Sequence, residues 1–171
     1  MLKYRNRLIG GAGAVATVAA IAVSGVMTAS AAPTSAHVTV SGTEHFQMMT
    51  TSGTGSTGSV IASGVFTAAG VDHEHSNNTS TFTFSNGTIN IKHSSGTGTQ
   101  HFDPKTCLLT VNFHGTYKLV SGTGKYAGIS GSGTYKLNIL AIGAKSGGKC
   151  TRNKPPVAFH QVINATGPVT L

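Results

Sequence analysis

Short runs in which apolar and polar residues alternate constrain the fold of this chain more than any other feature. The stretch TSTFTFSNGTINIKH (79–93) sets Phe82 and Phe84 among threonines, and then Ile89 and Ile91 among polar residues. A period of two places successive side chains on opposite faces of a β-strand, and no helical period of useful length occurs after residue 31. The chain is therefore predicted to be all-β.

An Asn-Gly dipeptide (86–87) joins the two halves of this stretch. Asn-Gly is a strong hairpin signal because both residues of such a two-residue turn take positive φ. The turn would pair Phe84 with Ile89 and Phe82 with Ile91, which places all four apolar side chains on one face. The stretch is therefore predicted to form an amphipathic hairpin.

Alternation recurs along the rest of the chain. Further strands are predicted at 44–49, 59–66, 107–113, 115–119, 134–142 and 158–165. With the hairpin, this gives about eight short strands linked by Gly, Ser and Asn turns, a pattern typical of a β-sandwich or a β-barrel. A closed barrel would also remove the exposed edges that an open, Thr-rich sheet presents.

The pentapeptide GTYKL occurs twice, at 115–119 and 133–137, on either side of a glycine-rich segment. In each copy the Tyr and Leu share one face of a strand, and the Thr and Lys share the other. The glycines between the copies permit the positive φ or the close backbone approach that a chain reversal needs. The repeat predicts two neighbouring strands in similar environments, since two copies are too few for a solenoid.

Residues 1–31 have the pattern of a cleaved secretory signal peptide. Lys3, Arg5 and Arg7 form a basic region, the stretch 8–28 is apolar and uncharged, and Ala-Ser-Ala follows it at the cleavage position. An uncleaved transmembrane anchor is the competing interpretation, but the stretch is rich in Gly and Ala rather than Leu. The Ala- and Gly-rich composition indicates a bacterial, secreted protein with no stable membrane insertion after cleavage.

Cleavage would leave about 140 residues, enough to bury the core of one domain. Without the signal, nine basic residues face four acidic ones, which is a net charge of +5. That charge suits a surface rich in anionic polymers, so an anionic cell-surface polymer is a candidate partner. Nucleic acid is not expected as a partner, because the lysines are spread out and no base-stacking aromatic motif lies among them.

The chain contains two cysteines, Cys107 and Cys150. In a chain addressed to an oxidising compartment, two cysteines are expected to form one disulfide. A metal site would need more thiolates, or histidines placed beside them. The bridge would close a loop of about 43 residues and stabilise the fold by roughly 4 kcal/mol in the chain-entropy account.

The segment SGTGKYAGISGSGTY (121–135) resembles the GTGxF/Y-x-G-x-x-G segment of the dirigent and allene oxide cyclase-like barrel proteins. The hairpin that precedes it fits the strand order of that family. The resemblance implies that residues 41–171 form a single antiparallel eight-stranded β-barrel with a lumen open at one end, after a short lead-in at 32–40. In the plant members the lumen binds small hydrophobic or phenolic intermediates and controls their stereochemistry.

The resemblance implies a small apolar or phenolic ligand in the lumen. The side chains expected to line the lumen are Tyr117, Tyr135, Phe46, Phe82, Phe84 and Phe113. A structural or adhesive cell-surface module is the alternative, since a small eight-stranded barrel is only wide enough for side chains to fill it. The catalytic positions of the family have no alignable counterpart in this chain, so no catalytic residue is assigned. An enzyme of this type would be isomerase-like, cyclase-like or stereo-directing, and no cofactor is expected.

The sequence VDHEHSNN (71–78) is the one local cluster of titratable residues. As a strand it would direct His73 and His75 to the same side, where a third histidine such as His93 could complete a metal site. As a loop it would be a solvated polar turn that ends in Ser-Asn-Asn. The loop is the preferred interpretation, and no metal is expected.

Overall fold

A computed structural model describes residues 38–75, 78–151 and 153–171. The predicted signal peptide, most of the lead-in and Arg152 lie outside the described residues. Within the described ranges, no helix is long and apolar enough to cross a membrane.

The described chain is almost entirely β-structure, with one 3₁₀ turn at Gly124–Tyr126. The strands are β1 Ser41–Thr50, β2 Thr57–Ser63, β3 Ala68–His75, β4 Thr79–Phe84, β5 Gly87–His93, β6 Thr97–Asp103, β7 Leu108–Gly122, β8 Ser130–Ile142, β9 Lys145–Ser146, β10 Lys149–Cys150 and β11 Ala158–Thr170. Burial alternates along most of the longer strands, so the period of two in the sequence becomes an inside and an outside.

Eight of these strands close into an antiparallel barrel in the order β1, β2, β3, β4, β5, β7, β8, β11, and β11 pairs back to β1. The predicted all-β fold and eight-stranded barrel are confirmed. The long strand β7 pairs with β5 along its second half and with β6 along its first half. As a result β6 continues the line of β5 beyond the barrel, and β9 and β10 form a separate small hairpin.

Two of the predicted strands, 107–113 and 115–119, form one continuous strand, β7, which begins one residue later, at Leu108. Gly115 lies within β7 and does not interrupt it. Its lack of a side chain leaves room for a neighbouring ring. A Cβ at this position would lie 2.6 Å from Cε1 of Tyr135. The barrel still has eight strands because it includes β3, which was not predicted.

The two GTYKL copies lie side by side on β7 and β8, as predicted. Gly115 is opposite Tyr135, and Tyr117 is opposite Gly133. Each tyrosine ring therefore covers the glycine of the other copy, and a Cβ at Gly133 would lie 2.7 Å from Cε1 of Tyr117. The glycine that begins each copy is needed by the tyrosine of its partner, which gives the repeat a structural reason.

The β4–β5 hairpin exists, but its predicted register is wrong. Phe82 pairs with Ile89, and Phe84 pairs with Gly87, so the turn comes one residue earlier than predicted. Phe82 thus pairs with Ile89 instead of Ile91, an even shift in register, so the predicted face is preserved. Phe82, Phe84, Ile89 and Ile91 are all buried inside the barrel.

The turn conformation explains the shift in register. Gly87 has a φ of 146°, whereas Asn86 is not among the residues with positive φ. A Cβ at Gly87 would lie 2.1 Å from the carbonyl oxygen of Thr123, at the start of the 3₁₀ turn. The glycine therefore serves a close approach between two distant segments, rather than the second position of an Asn-Gly turn.

The predicted disulfide between Cys107 and Cys150 is confirmed, with the two Cα atoms 5.5 Å apart. Cys107 is fully buried directly before β7, and Cys150 ends β10. The bridge ties the small β9–β10 hairpin to the beginning of β7, on the side where that strand extends past the barrel together with β6.

One end of the barrel, here called the closed end, is filled by aromatic rings. Phe66 follows β2, Phe84 ends β4 and Tyr126 belongs to the 3₁₀ turn. The ring centroid of Tyr126 lies 5.0 Å from that of Phe66 and 5.3 Å from that of Phe84, and all three side chains are buried. These rings seal the barrel at this end and leave the other end to form a site.

Candidate functional site

The opposite end of the barrel, here called the open end, contains a cavity of about 610 Å³. Its rim is formed by the β1–β2 loop and by Ser94 and Ser95 between β5 and β6, all of which are exposed. The cavity therefore reaches the surface. A volume between about 300 and 1,000 Å³ is usual for sites that bind small molecules.

Aromatic side chains form the deep wall of the cavity. Phe46 on β1 lies 5.4 Å from Phe82 on β4 and 6.1 Å from Tyr117 on β7, measured between ring centroids. All three rings are buried and all three line the cavity. Further out the wall becomes mixed, because Leu137 and Ile163 stand among polar side chains.

A hydrogen-bonded cluster of polar residues lines the cavity nearer the rim. Glu74 on β3 accepts a hydrogen bond from Nε2 of His93 at 3.0 Å and one from the hydroxyl of Ser80 at 2.6 Å. The other ring nitrogen of His93 lies 3.1 Å from the carbonyl oxygen of Ser94, which can only accept. Both ring nitrogens therefore donate, and His93 is an imidazolium paired with the Glu74 carboxylate.

The pKa values of this pair agree with the geometry. The hydrogen bond to Glu74 raises the pKa of His93 and outweighs the opposing effect of burial. Burial alone would raise the pKa of Glu74, but the hydrogen bonds from His93 and Ser80 lower it. Both shifts favour the charged form of each member of the pair.

Asp72 also lines the cavity, but it has no such partner. The residue is 8% exposed, and its Oδ1 has no hydrogen-bond partner among the described residues. Burial, together with the negative charge of Glu74, raises the pKa of Asp72 to about 7. The site therefore contains one carboxyl that is fully paired and another that is poised to gain or lose a proton near neutral pH.

The two tyrosines of the GTYKL copies differ at their hydroxyl groups. Tyr135 donates a hydrogen bond to the carbonyl oxygen of Ser94 at 2.8 Å. The hydroxyl of Tyr117 is buried without a partner among the described residues. Burial, with the nearby Glu44, raises the pKa of Tyr117 to about 12. Equivalent positions in the repeat thus place one satisfied and one unsatisfied phenol in the cavity wall.

Charge is strongly segregated between the inside and the outside of the barrel. Of the four acidic residues in the chain, Glu44, Asp72 and Glu74 point inward, and Asp103 lies on β6 outside the barrel. Every lysine in the described residues is exposed, and none of them lines the cavity. Acidic side chains therefore concentrate inside the barrel, and the lysines lie on its outside.

The structure separates the six lumen residues proposed from the sequence into two groups. Tyr117, Tyr135, Phe46 and Phe82 line the cavity. Phe84 lies in the closed end, and Phe113 lies on the part of β7 that pairs with β6. Neither of these two phenylalanines belongs to the cavity wall.

The interpretation of VDHEHSNN as a solvated loop is wrong, because the segment up to His75 belongs to β3. The strand turns Asp72 and Glu74 toward the lumen and His73 and His75 to the outside. His75 bonds to the hydroxyl of Thr81 at 3.0 Å. In the part of the chain that the structure describes, no three His, Cys, Asp or Glu residues are grouped so that they could hold a metal ion.

Sequence reasoning missed the carboxylates as site residues. The available signal was the alternation of Gly70, Asp72 and Glu74, which becomes visible once β3 is recognised as a strand. Comparison of the chain with protein-family models, with curated proteins and with solved structures finds no match. The resemblance to dirigent and allene oxide cyclase-like proteins therefore stays a prediction.

Proposed function

We propose that this protein is a secreted barrel that binds a small, largely apolar or phenolic molecule in the cavity at its open end. The observation that carries the proposal is Tyr117, which lines the cavity and whose buried hydroxyl has no hydrogen-bond partner among the described residues. An unsatisfied buried polar group costs about 1–3 kcal/mol, and a ligand that bonds to it recovers part of that free energy.

The shape of the cavity supports the same function. Five phenylalanine and tyrosine rings and several aliphatic side chains offer an apolar surface, and a small number of polar groups converge on it from β3, β4 and β5. Apolar walls that carry a few fixed polar groups are typical of small-molecule sites, where the polar groups determine orientation. The enclosed end below Phe46 would hold the apolar body of the ligand.

Thermal unfolding in the presence of 4-ethylphenol and 2-phenylethanol tests the proposal. We expect these compounds to raise the melting temperature with increasing concentration, since a ligand at 100 times its Kd stabilises by about 2.7 kcal/mol. Ile163→Trp fills the cavity and should abolish the rise. Ile61→Trp is the matched control, because Ile61 is exposed on the outside of β2. A rise that persists in the Ile163 variant would place binding elsewhere.

A structural or adhesive module is the second candidate, and two observations favour it. The closed half of the barrel is filled by packed rings, and the Tyr135 hydroxyl is satisfied by the Ser94 carbonyl rather than left for a ligand. For such a module, no small compound in a broad screen would change the melting temperature.

The disulfide is compatible with an extracellular location. The basic exterior supports the further proposal that the barrel acts near anionic surface polymers. Lys92 and Lys118 lie directly opposite each other on β5 and β7, where two like charges are unfavourable unless an anion lies nearby. Retention on an anionic polymer that decreases with salt, and decreases further in Lys118→Gln, would support this partner.

A further inference from the structure

We propose that the ligand of the open end has a protonated amine attached to its apolar body, and that Asp72 is the counter-ion of that amine. This inference rests on the proposed function and adds the chemical class of the ligand. It follows from the charges, the unpaired groups and the rings that surround the cavity.

The first argument is the balance of charge in the lumen. The Glu74 carboxylate is neutralised by His93 at 3.0 Å and by a hydrogen bond from Ser80. Asp72 has no cation of its own, and no lysine lines the cavity among the described residues. When Asp72 is ionised, the polar cluster therefore carries one uncompensated negative charge. A ligand cation would remove both that charge and the repulsion between Asp72 and Glu74.

The second argument is the position of the aromatic rings. Asp72 pairs across the sheet with Phe82, whose ring is 5.4 Å from that of Phe46. Tyr117 completes the group, with its ring 6.1 Å from that of Phe46. A carboxyl whose cross-strand neighbour belongs to a group of packed aromatic rings is suited to bind an ammonium group, because the rings attract a cation through their quadrupoles.

The third argument excludes an anionic head group. A carboxylate or phosphate on the ligand would meet Asp72 and Glu74, and the one nearby cation, His93, is already engaged by Glu74 and by the Ser94 carbonyl. A neutral hydroxyl could bond to Asp72, but it would leave the charge uncompensated. The amine satisfies the hydrogen-bond requirement of Asp72 and the charge together.

A matched pair of probes tests the inference. 2-Phenylethylamine and 2-phenylethanol differ only in the head group, and their affinities are measured by calorimetry with the intact, disulfide-bonded protein. We expect the amine to bind about tenfold more tightly or better at pH 8. Asp72→Asn should reduce that ratio toward one, whereas Asp103→Asn, which removes the acidic residue outside the barrel, should leave it unchanged.

The pH dependence provides a test that needs no variant. Between pH 5.5 and 8.5 Asp72 ionises through its pKa of about 7, so amine affinity should increase with pH while the affinity for the alcohol stays nearly constant. His93, whose pKa is raised by its hydrogen bond to Glu74, also loses its positive charge as the pH rises, which acts in the same direction. The other titratable groups inside the barrel are Glu74, Tyr117, Tyr135 and, below the cavity, Glu44 and Tyr126.

The outcomes separate this inference from the function on which it rests. Equal binding of the amine and the alcohol, or amine affinity that is independent of pH, overturns the inference and keeps the lumen as a ligand site. Tighter binding of 3-phenylpropanoate than of the amine also overturns it. If none of the three probes and no phenolic compound binds, the proposed function itself is overturned.

Discussion

Each end of the barrel contains a buried carboxylate, and the two are accommodated in different ways. Glu44, near the closed end, is completely buried; its Oε2 accepts a hydrogen bond from the backbone N–H of Phe66 at 3.1 Å, while its Oε1 has no hydrogen-bond partner among the described residues. Asp72, at the open end, is almost as deeply buried, but among the described residues it has no backbone donor, and it borders a cavity. Glu44 thus holds a loop in place, whereas Asp72 has no structural partner to hold.

The two ends of the barrel differ in what their buried side chains do. The closed end uses aromatic packing and a carboxyl anchored by the backbone to fix the β2–β3 connection. Each end keeps a carboxyl oxygen without a partner among the described residues, but only the carboxyl at the open end, Asp72, borders a cavity. Unpaired groups that reduce stability are retained in proteins mainly where function needs them. We therefore expect substitutions at the two ends to affect different properties.

The largest effect should come from the closed end. Phe66→Ala removes a buried ring that packs on Tyr126, and it should lower the free energy of unfolding by about 3–5 kcal/mol. Phe159→Ala, at the half-buried rim of the open end, should lower it by about 1 kcal/mol. Urea denaturation followed by circular dichroism measures both. Similar losses in the two variants would contradict the division of the barrel into a core and a site.

Removal of the disulfide should have the next largest effect. Replacing Cys107 and Cys150 by Ala should lower the free energy of unfolding by about 2–4 kcal/mol, because the bridge closes a long loop. The bridge lies at the side of the open end, so amide exchange should accelerate in β9 and β10 before it does in the loop at Phe66. Uniform acceleration across the barrel would show that the bridge supports both ends equally.

The pH dependence of stability should differ between a carboxyl in the lumen, Asp72, and one outside the barrel, Asp103. Asp72 has an ordinary pKa of 3.8 and a folded value of about 7. The folded protein therefore binds a proton that the unfolded chain releases, and the stability from this proton is complete below about pH 4 and lost as the pH rises to about 7. Asp72→Asn should remove about 1–3 kcal/mol of the decrease in unfolding free energy between pH 5 and pH 8.

Two features make this measurement specific. His93, whose pKa is raised, also loses stabilising charge as the pH rises; its shift comes mainly from Glu74 and least from Asp72, so most of its titration is common to the parent and the variant. Asp103→Asn is the control, because the pKa of Asp103 is lowered by hydrogen bonds from Thr106 and Lys105 and its titration ends below pH 5. An Asp72 variant with the same pH profile as the parent would mean that Asp72 is ionised throughout.

The sequence predicted the part of the barrel that follows a simple hydrophobic pattern. Phe82, Phe84, Ile89 and Ile91 alternate with polar residues, and their common face could be read locally, because the period of two survives any even shift in register. The register itself could not be read, since it depends on the approach of Thr123 to Gly87, two segments that are distant in the sequence.

The site escaped prediction for a related reason. The inward positions of β3 are Gly70, Asp72 and Glu74, which look like a solvated loop because they are not apolar. A hydrophobic pattern identifies strands that face a packed core, and it fails where the wall faces a polar cavity. The two tyrosines were predicted because their neighbours Leu119 and Leu137 are apolar and follow the core pattern.

The smallest and most selective prediction compares the two copies of GTYKL. Tyr135→Phe removes the hydrogen bond to the Ser94 carbonyl and should cost about 0.5–1.5 kcal/mol. Tyr117→Phe removes a hydroxyl that is buried without a partner, so its free energy of unfolding should equal or exceed that of the parent. Thermal unfolding of both variants without ligand measures the difference. A larger loss in Tyr117→Phe than in Tyr135→Phe would show that the Tyr117 hydroxyl is satisfied inside the protein. That result would leave the cavity without its unpaired phenol and would favour the structural module over the ligand-binding barrel.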